Sequence, residues 1–139
     1  MKRFAQEWFD DLSTHEPVDR LLARVADTDL EMVFPERTLR SHADFVDWYA
    51  VVGEAFTDQT HRIEAFRSES HGDRVEVTVT VVWTATLTSD GTRSAFRVNQ
   101  TWQLRTTPGG RPRIVKYQVG ELRPVPVIGS PVDSTPGAR

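Results

Sequence analysis

The chain has 139 residues, with 17 basic and 20 acidic side chains and a formal net charge of -3. This length supports one domain, and the acidic balance argues against a protein that binds nucleic acid or an anionic membrane through a basic surface. Because cysteine is absent, disulfides, thiolate metal sites and a cysteine nucleophile are excluded. Apolar runs are only a few residues long and no apolar leader segment is visible, so we expect a soluble, cytoplasmic protein.

The N-terminal region predicts two helices and a short strand. Apolar residues recur at helical spacing on one face of the first helix: Phe4, Trp8, Phe9 and Leu12. Pro17 suits the first turn of a second helix, which turns four apolar residues inward: Val18, Leu21, Leu22 and Val25. The alternation of Leu30, Met32 and Phe34 then indicates a short strand that ends at Pro35.

Ser41 and Asp44 mark the start of a third helix. Ser41 has the residue type of an N-cap, and Asp44 stands three residues later in place of the usual Glu of a capping box. The helix carries a broad aromatic face: Phe45, Trp48, Tyr49, Val52 and Phe56. Such a face either belongs to the core or lines a pocket, depending on what packs against it.

From residue 59 onward the apolar period falls from about 3.6 to 2, which predicts strands. Four strands have these side chains on the inward face: His61, Ile63 and Ala65; Val75, Val77, Val79, Val81, Trp83, Ala85 and Leu87; Phe96, Val98, Gln100, Trp102 and Leu104; Val115, Tyr117 and Val119. Phe66 is expected on the outward face with Arg62 and Glu64. Because the strands are about ten residues or longer, we expect a strongly curved antiparallel sheet.

Helices followed by a strand meander indicate the α+β class, with the helices packed on one face of the sheet. The domain is predicted to span residues 1–123. Residues 124–139 contain four of the eight prolines and are also rich in Gly and Ser, which predicts an extended C-terminal tail.

Five motifs occur in a defined order along the chain. They are LEMVFP at 30–35, SHADF at 41–45, THRIE at 60–64, GDRV at 72–75, and the strand of Trp102 that leads to RIV at 113–115. Their order and spacing resemble the nuclear transport factor 2-like superfamily, most of all its SnoaL-like branch, over residues 4 to 123. The resemblance implies a cystatin-like α+β cone, in which a strongly curved antiparallel sheet wraps around the N-terminal helices and leaves an apolar pocket.

The resemblance also implies a range of activities. Many relatives are cofactor-independent cyclases, dehydratases, isomerases or epoxide hydrolases that act on polyketide, steroid or terpenoid-like substrates, and others only bind small molecules. Members often form homodimers through the outer face of the sheet. The fold therefore does not determine the function by itself.

His61 is the first candidate for chemistry. Its position in the alternation places it inward with Ile63 and Ala65, and it resembles the catalytic histidine of scytalone-dehydratase-like members. A histidine can move a proton near neutral pH without a cofactor. The alternative is a histidine that closes the end of a strand and is satisfied by local hydrogen bonds.

Dehydratases of this type also use a tyrosine–aspartate pair at the end of the first helix. The matching residues here, LSTH at 12–15, contain no such pair, which argues against dehydration specifically. His15 is a candidate to replace part of that function, or else a surface residue at a helix end. None of Asp10, Asp11 and Asp58 can be assigned to the pocket from the sequence.

Gln100 and Tyr117 are the other candidates. Gln100 is an amide within an apolar series, and a buried amide without a partner costs about 1–3 kcal/mol, so it either anchors structure or contacts a ligand carbonyl. Tyr117 is either a core tyrosine or a donor to a developing enolate oxygen.

Two further readings are open. Arg97 and Asn99 have the Arg-x-Asp spacing of epoxide-hydrolase members, with Asn in place of the base, and enter the pocket only if a bulge inverts their strand. The other reading, a metal site, has no support in the spacing of the four histidines, which are His15, His42, His61 and His71. Phosphate loops, nucleophile elbows and dinucleotide motifs are absent.

The sequence thus predicts a cofactor-independent acid–base enzyme of cyclase, isomerase or dehydratase type, without a metal, acting on a small apolar carbonyl-bearing molecule in secondary metabolism. His61 moves the proton, and Tyr117 and Gln100 polarise the substrate oxygen. The pocket walls and substrate contacts are assigned to Trp8, Trp48, Phe56, Trp83, Trp102 and His15. The alternative is a non-catalytic small-molecule-binding or dimeric accessory protein of the same fold.

Overall fold

The computed structural model describes residues 1–127. It contains three helices and six strands in that range, in the following order: α1 (Lys2–Ser13), α2 (Val18–Leu22), β1 (Glu31–Phe34), β2 (Arg37–Leu39), α3 (His42–Ala55), β3 (Phe56–His71), β4 (Arg74–Leu87), β5 (Arg93–Arg105) and β6 (Arg113–Val125). Within residues 1–127, no helix is both long and apolar enough to cross a membrane.

The six strands form one curved sheet in the order β2-β1-β6-β5-β4-β3. Strands β3 to β6 are an antiparallel meander, and β1 pairs with β6 in parallel. The helices pack on the concave face, with α1 and α3 covering the core. The predicted α+β cone, with a strongly curved antiparallel sheet around the helices, is confirmed.

The four long strands have 13 to 16 residues each, and bulges bend them. The pairing of β3 with β4 shifts between Ile63 and Ala65. A bulge adds one residue to one strand and so reverses which side chains face inward beyond it. As a result Phe66 packs on the core and Ala65 is exposed, the opposite of the prediction from simple alternation.

Other element boundaries also differ from the prediction. Phe56 is the first residue of β3 rather than part of the third helix, which ends at Ala55. The chain forms a second short strand, β2, directly after Pro35 and Glu36, because β1 pairs with it in a tight hairpin. In β6 a second bulge makes Ile114 fully buried, so that Val115 does not share the inward face of Tyr117.

Helix α3 begins as the capping pattern predicts. The hydroxyl of Ser41 accepts a hydrogen bond from the Asp44 backbone N–H, and the Asp44 carboxylate accepts one from the Arg40 backbone N–H. These bonds satisfy N–H groups that the first helical turn leaves unpaired. His42, the first residue of α3, bonds through Nε2 to the carbonyl of Val25, which ties the start of α3 to the chain that follows α2.

An unexpected charged pair fixes α2 against α1. Asp11 lies on the buried side of α1, and its carboxylate accepts hydrogen bonds from Arg24 at 2.7 Å and from Arg20 at 3.3 Å. The side chains of Asp11 and Arg24 are only 8% and 13% exposed. Since an unpaired buried charge is very unfavourable, each of these two groups depends on the other.

The domain boundary predicted at residue 123 falls within β6, which continues to Val125. Most of the predicted tail, residues 128–139, lies outside the described residues.

Replacing Asp11 with alanine should leave the Arg24 guanidinium largely buried without its nearest carboxylate. We expect Asp11→Ala to lower the free energy of unfolding by about 3 kcal/mol, measured by urea denaturation at neutral pH. The neighbouring exposed residue provides the control, since Asp10→Ala should change the same quantity by less than about 0.5 kcal/mol. Equal effects of the two substitutions would contradict a structural role for the buried pair.

Candidate active site

A cavity of about 120 Å³ opens between α3, the end of α1 and the concave face of the sheet. Its apolar lining comprises Phe9, Leu12, Phe34, Pro35, Trp48, Val52, Phe56, Val81, Trp83, Val98, Val119 and Leu122. The polar and ionisable side chains that reach it are His15, Glu36, Tyr49, Gln59, His61, Gln100 and Tyr117. An apolar protein cavity of about 150 Å³ holds a benzene molecule, so this cavity is on the scale of a single ring.

His61 lies in β3, and its ring makes stacked contacts with Phe9, at 5.5 Å between ring centroids, and with Trp83, at 6.5 Å. Its Nδ1 is 2.9 Å from the hydroxyl oxygen of Ser13, the last residue of α1. The Ser13 hydroxyl itself donates to the Phe9 backbone carbonyl at 2.8 Å. A hydroxyl has one proton to donate, so Nδ1 carries the imidazole proton and donates it to Ser13.

This assignment leaves Nε2 of His61 as an unprotonated acceptor. No fully buried side-chain nitrogen or oxygen in residues 1–127 lacks a partner, so Nε2, which has no protein partner, reaches accessible space in the cavity. Burial lowers the pKa of His61 from 6.5 to about 3, because the surroundings disfavour the charged imidazolium. His61 is therefore a neutral imidazole at physiological pH.

Tyr117 and Gln100 lie side by side on β6 and β5, and indole N–H groups occupy their acceptor oxygens. Trp8 Nε1 donates to the Tyr117 hydroxyl at 3.1 Å, and Trp102 Nε1 donates to Gln100 Oε1 at 3.0 Å. Gln100 also donates a hydrogen bond to the Tyr117 oxygen, so the donors that remain are the Tyr117 O–H and the second N–H of the Gln100 amide. Burial raises the pKa of Tyr117 well above its usual range, so the hydroxyl keeps its proton.

The predicted aromatic walls fall into two groups. Trp48, Phe56 and Trp83 line the cavity. Trp8 and Trp102, assigned to the same wall from the sequence, lie behind it, where they are 1% and 2% exposed. Their rings fill the core between α1 and the sheet, and their N–H groups face Tyr117 and Gln100. They therefore orient the polar groups of the cavity and do not touch its contents.

The carboxylates considered from the sequence lie elsewhere. Asp11 is engaged by arginines, Asp10 is exposed and hydrogen-bonded to Gln6, and Asp58 is exposed with its backbone in the left-handed region. The carboxylate that does line the cavity in residues 1–127 is Glu36, at the rim, where it accepts a hydrogen bond from Trp48 Nε1 at 3.1 Å. The turn between β1 and β2, which the sequence did not predict, places it there.

The pairing of β5 with β6 shifts between Val98 and Gln100, but the extra residue lies in β6, so the shift does not turn Arg97 and Asn99 into the cavity. Both residues lie on the outer face of the sheet, where Arg97 pairs with Glu64 at 2.7 Å and Asn99 accepts a hydrogen bond from Thr80. The epoxide-hydrolase arrangement is therefore wrong for this chain.

One group of possible metal ligands lies far from the cavity. Glu69, His71 and Glu76 come within reach of a single ion at the exposed β3–β4 hairpin, with His71 already hydrogen-bonded to Glu69 at 2.8 Å. The pairing across the hairpin, which linear spacing does not reveal, brings them together.

Sequence reasoning placed His61, Gln100, Tyr117 and His15 at the pocket, and all four line the cavity. It missed Ser13 and Gln59. Ser13 follows Phe9 by one helical turn, a position where a serine hydroxyl commonly bonds back to the i-4 carbonyl, and this was the available signal. Gln59 had no comparable signal, because the irregular pairing between Thr57 and Thr60 directs it inward to accept from Trp83 Nε1 at 3.0 Å.

The lowered pKa of His61 predicts acid sensitivity. Between 6.5 and about 3 the unfolded chain binds a proton at His61 that the folded protein does not, so stability is full above pH 6.5 and falls as the pH decreases. This residue alone should reduce the free energy of unfolding by about 3 kcal/mol between pH 6.5 and 4.

Urea denaturation of wild type and His61→Gln across this pH range measures the effect, because the variant should lack that part of the decrease. His71→Gln, at an exposed position, serves as the control and should keep the wild-type slope. A parallel decrease in all three proteins would show that the pKa of His61 is not lowered by folding.

No protein-family model matches the chain, and no curated protein sequence does. Solved structures do resemble it. A nuclear transport factor 2-like superfamily protein from Salmonella enterica has a TM-score of 0.75 at 14% identity, over 90% of this chain and 89% of that one. The hexachlorocyclohexane dehydrochlorinase LinA-type3 from Novosphingobium barchaimii has a TM-score of 0.75 at 16% identity, over 91% and 86%.

A ketosteroid isomerase-like protein from Erwinia carotovora atroseptica has a TM-score of 0.73 at 16% identity, over 91% of this chain and 94% of that one. These matches span almost the whole of both chains, which confirms at the level of the fold the resemblance seen in the motifs. The chain has the nuclear transport factor 2-like fold, and its cavity is lined by residues of α1, α3 and the sheet, among them His61 and Tyr117.

Proposed function

We propose that this protein is a cofactor-independent enzyme of cyclase, isomerase or dehydratase type that moves a proton on a small, apolar, carbonyl-bearing substrate in secondary metabolism. The observation that carries the proposal is the neutral His61 imidazole, whose Nδ1–H is held by Ser13 while Nε2 faces an apolar cavity. An imidazole in this tautomer is ready to accept a proton from a bound molecule.

Because His61 is a weak base, it can remove a proton only from a substrate with an acidic C–H group. With a pKa of about 3, His61 holds an added proton poorly, and proton transfer from an ordinary C–H group would be strongly uphill. We therefore expect a carbon acid activated on both sides, such as a carbon between two carbonyl groups. The C–H proton passes to Nε2, and the electron pair moves onto a carbonyl oxygen to form an enolate.

Tyr117 and Gln100 stabilise the enolate oxygen that forms when His61 removes the proton. The hydroxyl of Tyr117 and the N–H of Gln100 that is not bonded to Tyr117 are uncharged donors, oriented in advance by Trp8, by Trp102 and by each other. Fixed donors in an apolar cavity stabilise a developing oxyanion more than water does, because they need no reorganisation. The enolate then reacts onward by returning the proton to another atom, by attacking a second carbonyl or by expelling a leaving group.

The names of similar structures support this class of reaction. One is named a dehydrochlorinase and another is described as ketosteroid isomerase-like, and neighbours of these kinds support cofactor-independent catalysis on this fold. Because the identities are 16%, they support a reaction type and no substrate.

A second function is favoured by one specific observation. The group that holds His61 Nδ1 is a serine hydroxyl, and no carboxylate in residues 1–127 pairs with this imidazole. A nearby carboxylate would stabilise the imidazolium that forms when His61 accepts a proton. A protein that only binds its ligand does not need this stabilisation, so a hydroxyl at this position is sufficient for it. The alternative is therefore a non-catalytic small-molecule-binding protein.

Deuterium exchange separates the two functions, because it reports proton removal whatever the later steps are. The probe is 1-phenylbutane-1,3-dione, and loss of the signal of the proton between its carbonyls is followed by NMR in D₂O. We expect wild type to accelerate exchange over buffer, and His61→Gln to reduce this acceleration by about 10²- to 10⁴-fold.

The His71→Gln variant, altered at the distant hairpin, should exchange at the wild-type rate. Binding of the dione is measured in parallel through the fluorescence of the tryptophans, two of which line the cavity. Tight binding without accelerated exchange in wild type would overturn the enzymatic proposal in favour of the binding protein.

Ser13 provides a test of how His61 is tuned. Ser13→Asp places a carboxylate beside Nδ1, which should raise the pKa of His61 and make it a stronger base. The exchange rate of wild type should be constant from about pH 5 to 8, because the pKa of His61 is about 3. The rate of Ser13→Asp should be higher at pH 8 and should fall below about pH 6. Identical pH profiles would contradict the contact between Ser13 and His61.

A further inference from the structure

His15 occupies a position that costs free energy to maintain. It lies between α1 and α2 with a φ of 53°, in the left-handed region that residues other than glycine rarely adopt. Its ring stacks flat on Tyr49 of α3, with 4.0 Å between centroids and an interplanar angle of 11°. Tyr49 in turn donates a hydrogen bond to the Glu16 carbonyl, so α3 holds this turn from both sides.

A second residue is adapted to the same ring. Gly53 lies one helical turn after Tyr49, inside α3, where glycine is about 1 kcal/mol less favourable than alanine. A methyl group at Gly53 would overlap the His15 imidazole. The backbone at Gly53 is helical, so the glycine is not needed for its conformational freedom. It leaves the space in which the imidazole lies.

His15 separates two spaces. It lines the inner cavity of about 120 Å³ and also a larger, more open groove of about 860 Å³ outside it. Phe56 and Gln59 line both spaces as well, and both contact Trp83, through an edge-on ring contact at 4.9 Å and a hydrogen bond at 3.0 Å. His15 is exposed and its ring has no side-chain hydrogen bond within residues 1–127, so its position depends on the stacking with Tyr49 and on the space left at Gly53.

We propose that His15 determines the length of ligand that the cavity accepts. Its imidazole closes the outer end of the cavity, which limits the ligand to about one ring with its carbonyl groups and excludes those that carry a long apolar chain towards the groove. The left-handed backbone of His15 and the space at Gly53 together allow the ring to lie there. This inference rests on the proposed function, since it requires a small apolar ligand beside His61.

The test uses a series of 1-phenylalkane-1,3-diones in which the terminal alkyl group lengthens from one to eight carbons. Binding is measured by tryptophan fluorescence. Wild type should lose at least tenfold in affinity between the shortest and the longest member. His15→Ala joins the cavity to the groove, so it should bind the longest member at least tenfold more tightly than wild type does and the shortest within about twofold.

Gly53→Ala should also remove the imidazole from the outer end of the cavity, but without substituting His15. The new methyl group should displace the imidazole and give the same chain-length profile as His15→Ala, although alanine favours the helix. In the double variant Gly53→Ala should have no additional effect, because the ring on which it acts is gone. Displacement can be seen without ligand, since the ring current of Tyr49 shifts the His15 imidazole proton resonances in wild type and should not do so in Gly53→Ala.

The outcomes are distinct. If wild type binds the short dione and His15→Ala leaves the chain-length profile unchanged, the inference is wrong and the proposed function stands. The same conclusion follows if Gly53→Ala alters the profile equally in the presence and absence of His15. If wild type binds no member of the series and does not accelerate deuterium exchange, the proposed function and the inference both fail.

Discussion

The aromatic layer between α1 and the concave face of the sheet is the interaction on which the rest of the molecule depends. Trp8 packs on Tyr117 at 5.7 Å between ring centroids, and Phe9 packs on Trp102 at 5.6 Å and on His61 at 5.5 Å. Aromatic side chains bury large areas and impose specific relative geometry. This layer therefore sets how deeply α1 enters the cone, and with it the space left beside α3.

The same layer orients the polar side chains of the cavity. Each polar group at the inner end of the cavity takes its orientation from an α1 or β5 residue in or beside the layer: Tyr117 from Trp8, Gln100 from Trp102, and His61 from Ser13. In a buried setting such hydrogen bonds stabilise the folded state, because a polar group left unpaired there raises its free energy. The bonds that satisfy these three groups also fix their orientation in the cavity.

Charges are kept away from the inner cavity. Asp11 is neutralised by Arg24 on the far side of α1, and Glu64 by Arg97 on the outer face of the sheet, while Glu36 remains at the rim. The inner groups are a neutral imidazole, a protonated phenol and an amide. An uncharged cavity with mainly apolar walls favours entry of apolar molecules and strengthens the interactions of the dipoles that line it. It also leaves the imidazole a weak base, which limits the reactions that such a site can perform.

The sequence by itself determined the class of fold, the order of the elements and most of the polar residues of the cavity. Periodicity and capping patterns are local, and they were sufficient to place His61, Gln100 and Tyr117 inward on long strands and to begin α3 at Ser41. The motif resemblance then implied the cone. Where alternation continued undisturbed, as along β4 and β5, the predicted inward face is the observed one.

Only the tertiary structure decided the features that depend on bulges and on contacts between distant segments. The bulge after Ile63 exchanged Ala65 for Phe66, and the hairpin after β1 brought Glu36 to the rim. The partner of His61 comes from a residue 48 positions away, and the space at Gly53 has meaning only because His15 fills it. A bulge costs little and shows no clear mark in the sequence, yet it inverts a whole face. The fold was therefore readable from the sequence, whereas the partners that tune each site residue were not.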